Sequence, residues 1–148
     1  MVLPTLAELI NHSDQEVLAD SLDAISCLTE GSNMELQEVI NANVLPRLCE
    51  LLEMREYSII SPALNAVGHI ISVDDEQTQT AINAGALQAL KVLLSHPMSR
   101  IVEVSDKLLI VVIPVAECFP TFCKRQNSLA LISFCNVHLI ITKMYVTN

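Results

Sequence analysis

Leucines recur along this chain with helical spacing, and the whole pattern returns every 42 residues. At that offset Val2-Leu3-Pro4-Thr5-Leu6-Ala7-Glu8-Leu9 falls on Val44-Leu45-Pro46-Arg47-Leu48-Cys49-Glu50-Leu51 and then on Ala86-Leu87-Gln88-Ala89-Leu90-Lys91-Val92-Leu93. Apolar residues three and four apart share one face of an α-helix, so each copy predicts a helix with one buried side. Ahead of the second and third copies stand Val39-Ile40-Asn41-Ala42-Asn43 and Ala81-Ile82-Asn83-Ala84-Gly85. Asn43 and Gly85 share the end of a short helix, a slot that wants tolerance of the left-handed conformation. Behind the first two copies runs a longer stripe, in which Leu18, Leu22, Ile25 and Leu28 match Ile60, Leu64, Val67 and Ile70. It predicts third helices over 15–29 and 58–72, with a fainter one over 100–112. Ala19, Ala24, Ala63, Ala66 and Gly68, lying between stripe residues, predict close packing beside a flat exposed surface. Pro62 predicts a helix start or a kink. A three-helix unit cannot bury its apolar face alone, and a period near 40 is the mark of a helical solenoid.

Composition narrows the function. With 51% hydrophobic and 17% charged residues, three Gly and no Trp, the chain is neither disordered nor collagen-like. The net charge of −9 conceals an asymmetry: residues 1–106 hold sixteen acids against four bases, and 107–148 hold one acid against four. An acidic module repels nucleic-acid phosphates and attracts Lys/Arg-rich segments, so nucleic acid is not an expected partner. Cys27, Cys49, Cys118, Cys123 and Cys135 are odd in number and form no CxxC pair, and no secretory signal opens the chain, which reads as intracellular and reduced. Two apolar runs, 108–116 and 129–141, fall short of the roughly 20 residues a bilayer requires, so no membrane span is expected. His12, His69, His96 and His138 lack the companions of a metal site. GxSxG, P-loop and HExxH motifs are absent, which speaks against an enzyme and against a cofactor.

The runs VLADSLDAISCLTEG and, 42 residues on, SPALNAVGHIISVDDEQTQTAINAGAL, with LPTL, EVLAD, PALxAVG, DEQTQ and INAGAL, resemble the middle repeats of the importin alpha (karyopherin alpha) family over about residues 2–104. The resemblance implies an all-α, right-handed armadillo superhelix of two and a half to three repeats, whose third helices line a concave acidic groove. It implies a noncatalytic adaptor of nuclear protein import, working in cytoplasm and nucleus, that holds basic nuclear-localisation-signal peptides. In the family, lysine stems run between tryptophans, asparagines clamp the peptide backbone, and acids receive the ammonium groups.

On the matching positions this chain departs from the family. Asp23 and Cys27 occupy the slots where Trp then Asn is common, and Asn65 and His69 those where Arg then Asn is usual. Val73 stands where Gly usually ends the helix, while the Asp74-Asp75-Glu76 turn stays acidic and, with Glu30, makes an acidic groove rim. Without Trp the aromatic shelves and their cation–π attraction are missing, so weakened peptide binding is expected. Asp23 reads either as a groove carboxylate or as a solvated helix charge. His69 reads either as a peptide-backbone ligand, since imidazole both donates and accepts, or as a surface histidine without a partner. Cys27 reads as half-buried packing. The family's basic segment for importin beta has no counterpart here, so importin beta is not an expected partner. After Glu103 the resemblance stops: Asp106, Lys107 and Leu108 replace a core Leu, a groove residue and a core Ala. Residues 105–148 then form a hydrophobic tail outside the family, read either as a cover for the last repeat or as a segment without selected structure, and as an aggregation hazard. Two rival functions stand: a nonfunctional truncated paralogue, and a helical scaffold that binds partners through its convex side.

Overall fold

The computed structural model describes the backbone of residues 2–118 and the side chains of 2–115. The second apolar run, Cys123, Cys135 and His138 lie outside the described residues. Among the described residues eight helices follow one another: α1 (Leu3–Leu9), α2 (Gln15–Glu30), α3 (Asn33–Asn41), α4 (Leu45–Leu51), α5 (Tyr57–Ile71), α6 (Asp75–Asn83), α7 (Ala86–Leu93) and α8 (Ser99–Cys118). They make an all-α armadillo solenoid: α1 and α2 are the second and third helices of one repeat, and α3–α5 and α6–α8 are two complete repeats. The 42-residue offset carries each element onto its counterpart.

Local chemistry sets the boundaries. Ser32 caps α3 reciprocally, its hydroxyl accepting from the Glu35 N–H while the Glu35 carboxylate accepts from the Ser32 N–H at 2.7 Å. That bond holds the Glu35 carboxyl below the usual carboxylate range. Asp14 opens α2 by accepting from the Glu16 and Val17 N–H groups. Pro4 and Pro46 stand in the first turns of α1 and α4, where a missing N–H costs nothing. Asn43 at φ 54° and Gly85 at φ 93° occupy the left-handed slot, as their shared position predicts. Pro62 lies inside α5 and is buried; its missing bond would have gone to Ser58, which is exposed to solvent.

The third helices stack in the order α2, α5, α8. Leu22, Ile25, Ile60, Leu64, Val67 and Ile70 are buried between them, and Leu6, Leu48 and Leu90 seat the second helices on the same core. The small residues do more than flatten a surface: Ala63, Ala66 and Gly68 are buried and let helices approach closely. A Cβ built on Gly68 would meet Leu108 Cδ2 of α8 at 3.1 Å. Arg47 of α4 ties two repeats together, its Nε donating to the Ile10 carbonyl at the end of α1. His12 and His96, two periods apart, each accept on Nδ1 from the N–H two residues on, fastening the loop into the third helix.

Helix α8 runs past residue 104 to Cys118, so the boundary drawn between 104 and 105 falls inside it. Leu109, Val112, Ile113 and Val115 join the core. Asp106, two periods from Leu22 and one from Leu64, is only 9% exposed, a carboxylate standing where those two bury leucine.

Two stability predictions follow from this packing. Gly68→Val should lower stability by about 1–3 kcal/mol through overpacking against α8, and Leu108→Ala in the same chain should recover part of it; thermal unfolding reads both. Asp106→Leu restores the repeat's apolar residue and should raise the melting temperature, by about 1–3 kcal/mol of stability.

Candidate peptide-binding face

On the open side of the stack, residues 42 apart form rows that cross α2, α5 and α8 in turn. One row is Asp23, Asn65 and Lys107, all exposed; the next is Cys27, His69 and Val111, of which His69 is half-buried. Ser58 and Ser72 flank Asn65 and His69 on α5, as Glu16 and Glu30 flank Asp23 and Cys27 on α2. Asp23, Cys27, Asn65 and His69 are thus brought onto adjoining helices.

His69 has a partner. Its Nδ1 lies 3.0 Å from the Thr29 hydroxyl of α2, and that hydroxyl also bonds the Ser26 carbonyl at 2.7 Å. One hydroxyl proton serves one acceptor, so the arrangement that satisfies every group has Thr29 donate to Ser26 and accept from Nδ1–H. The neutral imidazole then offers a ligand only the acceptor Nε2. Beside it opens a pocket of about 560 Å³ lined by Thr29, Leu36, Ile40, His69 and Val73 among others. The sequence contained the signal in the pairing of Thr29 with His69, 40 residues apart, but no periodic rule singles out such a bond.

Cys27 is exposed rather than half-buried, because its slot faces outward between Ala24 and Thr29 and no neighbouring helix covers it. Cys49 is the buried thiol; burial first, and the charge of Glu50 second, push its pKa up to about 12, so it is no nucleophile at neutral pH. Of the acidic rim, Glu30 ends α2 and is exposed. Asp74 is the N-cap of α6, its carboxylate accepting from the Gln77 N–H at 2.8 Å, and Asp75 and Glu76 lie in the first helical turn. What reads as an acidic turn in the sequence is a helix start, where negative charge is favoured by the helix dipole.

The α8 members of the rows are those the sequence left outside the repeats. Lys107 donates to Glu103 at 2.8 Å; that hydrogen bond and charge, helped by Arg100, hold the Glu103 carboxyl below its ordinary range. Among the described residues no helix is long and apolar enough to cross a membrane, and no group of His, Cys, Asp and Glu is arranged to hold a metal ion.

Comparison with known proteins agrees with this architecture. Residues 32–72 match the family model described as Armadillo/beta-catenin-like repeat. The chain is 55% identical over 42 residues to importin subunit alpha-B of Dictyostelium discoideum, and 46% identical over 43 residues to importin subunit alpha-3 of Caenorhabditis elegans. These stretches make up 28% and 29% of this chain but only 8% of each relative. Among solved structures, a designed armadillo repeat protein is 29% identical with a TM-score of 0.69, over 75% of this chain and 47% of that one. A second, in complex with the peptide (KR)4, is 27% identical with a TM-score of 0.68, over 78% of this chain and 53% of the other. The chain thus shares the armadillo-repeat fold of these structures and, over about one repeat, is similar to importin alpha subunits.

Proposed function

We propose that the chain is a noncatalytic adaptor module of nuclear import, holding basic segments of nuclear-localisation type across the exposed faces of α2 and α5. The observation that carries this reading is the row geometry: Glu16, Asp23 and Glu30 stand exposed along α2, beside Asn65 and His69 on α5. Carboxylates in that line attract Lys and Arg side chains, Asn65 can both donate to and accept from a peptide backbone, and His69 Nε2 can accept from an N–H. Asp75 and Glu76 add to the negative field at the α6 end. The importin alpha relatives and the designed armadillo protein bound to (KR)4 support the reading. Work in the cytoplasm and nucleus belongs to the same proposal. Affinity is lower than in a complete adaptor, because no Trp flanks the lysine stems.

A second reading, a scaffold gripping a partner elsewhere, draws on an open pocket of about 760 Å³ between α1 and α3, lined by Val2, Leu3, Pro4, Ala7 and Leu28 among others. Titration of a labelled Lys-rich peptide at low and at physiological salt separates the two. The adaptor reading expects binding that weakens as salt rises and falls by at least about tenfold in the double variant Asp23→Lys, Asn65→Lys. Binding indifferent to salt and to both substitutions would sink it, and a partner held at the α1–α3 pocket would be spared by them.

A further inference from the structure

The open pocket between α1 and α3 has a template inside the same chain. In the third repeat the first helix, α6, packs on both later helices, α7 and α8. Their counterparts two periods earlier, α1 and α2, have no first helix against them among the described residues. Matched positions record the difference in exposure. Val2 is 64% exposed, whereas Val44 and Ala86 are 3% and 0%. Leu3 and Leu28 are half-buried, while Leu45 and Leu87 in the first slot, and Ile70 and Val112 in the second, are buried. The pocket of about 760 Å³ lined by Val2, Leu3, Ala7 and Leu28 therefore lies where a first helix would seat its apolar face.

Helices α3 and α6 show the chemistry such a helix needs. Each is nine residues long and carries near its end an apolar pair, Val39-Ile40 or Ala81-Ile82, followed by Asn-Ala. Val39, Ala81 and Ile82 are buried and Ile40 is half-buried. The pocket adds a charge of its own. Glu35 and Glu38 stand in its α3 wall, at positions where the next period has Gln77 and Thr80. Glu35 is already bonded to Ser32, and Glu38 is exposed. Carboxylates there favour a base on whatever docks. We propose that this pocket seats a short amphipathic helix of a partner protein, with a Val-Ile-type pair toward Leu3 and Leu28 and a Lys or Arg toward Glu38. Apolar burial supplies the affinity of such a helix-in-groove contact, and the exposed ion pair sets a preference among partners. On α3 the flank turned to the next repeat carries Gln37, which lines the pocket beside α5; the matching position of the incoming helix stands nearest the α3 wall. This seat is separate from the exposed faces of α2 and α5, so its occupancy does not depend on the adaptor reading.

The test uses the full chain and labelled peptides that copy residues 32–43, whose Ser32–Glu35 capping box favours a helix. One peptide carries Gln37→Lys, one Gln37→Glu, and a third Gln37→Lys with Val39→Ser and Ile40→Ser. Fluorescence anisotropy should find the Lys peptide bound about fivefold more tightly than the Glu peptide and at least about tenfold more tightly than the Ser peptide. Glu38→Lys in the protein, an exposed change checked for fold by circular dichroism, should reverse the first preference. Asp23→Lys with Asn65→Lys in the protein should alter neither. Equal binding of the Lys and Ser peptides, or loss of binding in the Asp23, Asn65 variant, overturns the inference and assigns the lysine to the groove. Absence of binding by all three overturns it as well, and leaves the salt-dependent titration of the groove untouched. A dimer of the chain alone that the Lys peptide does not dissociate, seen by sedimentation, gives the seat to a second copy and overturns the partner helix.

Discussion

Each third helix is covered by its neighbours' third helices together with the shorter helices packed against them. Helix α5 buries Ile60, Leu64, Val67 and Ile70 because α2 lies on one flank and α8 on the other, and removal of either would leave a stripe of apolar surface in water. Such stacks are stable by nearest-neighbour contacts, roughly 2 kcal/mol for each large apolar side chain buried. Exposed ion pairs such as Lys107–Glu103 are screened and add little. Close approach at Ala63, Ala66 and Gly68 is the condition of this packing, which is why a helix near the middle of the stack is built from small residues.

The same constraint places the candidate site. Once packing fixes which flank of each third helix is buried, the opposite positions are held in rows by the 42-residue period, whatever their side chains. Packing does not restrict their chemistry. Asp23 and Lys107 can therefore occupy equivalent slots with opposite charge while the solenoid persists. Where a row residue is tied to a neighbour, as His69 is to Thr29, the tie limits what it can offer: one imidazole nitrogen is spent within the scaffold.

Much of this was legible in the chain. Leucine spacing located the second helices, Asn43 and Gly85 marked the left-handed ends of the first, and the Leu18-to-Leu28 stripe predicted a helix that the structure places at Gln15–Glu30. The reading was weakest at Asp106-Lys107-Leu108, where three unlike residues hide the period. Helix α8 nevertheless continues, because Leu109, Val112 and Ile113 keep the buried face and two turns of helix already dock on α6 and α7. Asp74 looked like part of a loop because a capping carboxylate and a solvated one are the same letter.

The sequence by itself determined the period, the helices and which of their faces are apolar, since these depend on spacing along one strand of chain. Tertiary structure decided the rest: that Cys27 is exposed and Cys49 buried, that Gly68 meets Leu108, and that Thr29 holds His69. The last two join residues 40 positions apart, and only the stacking of α2, α5 and α8 brings such residues together.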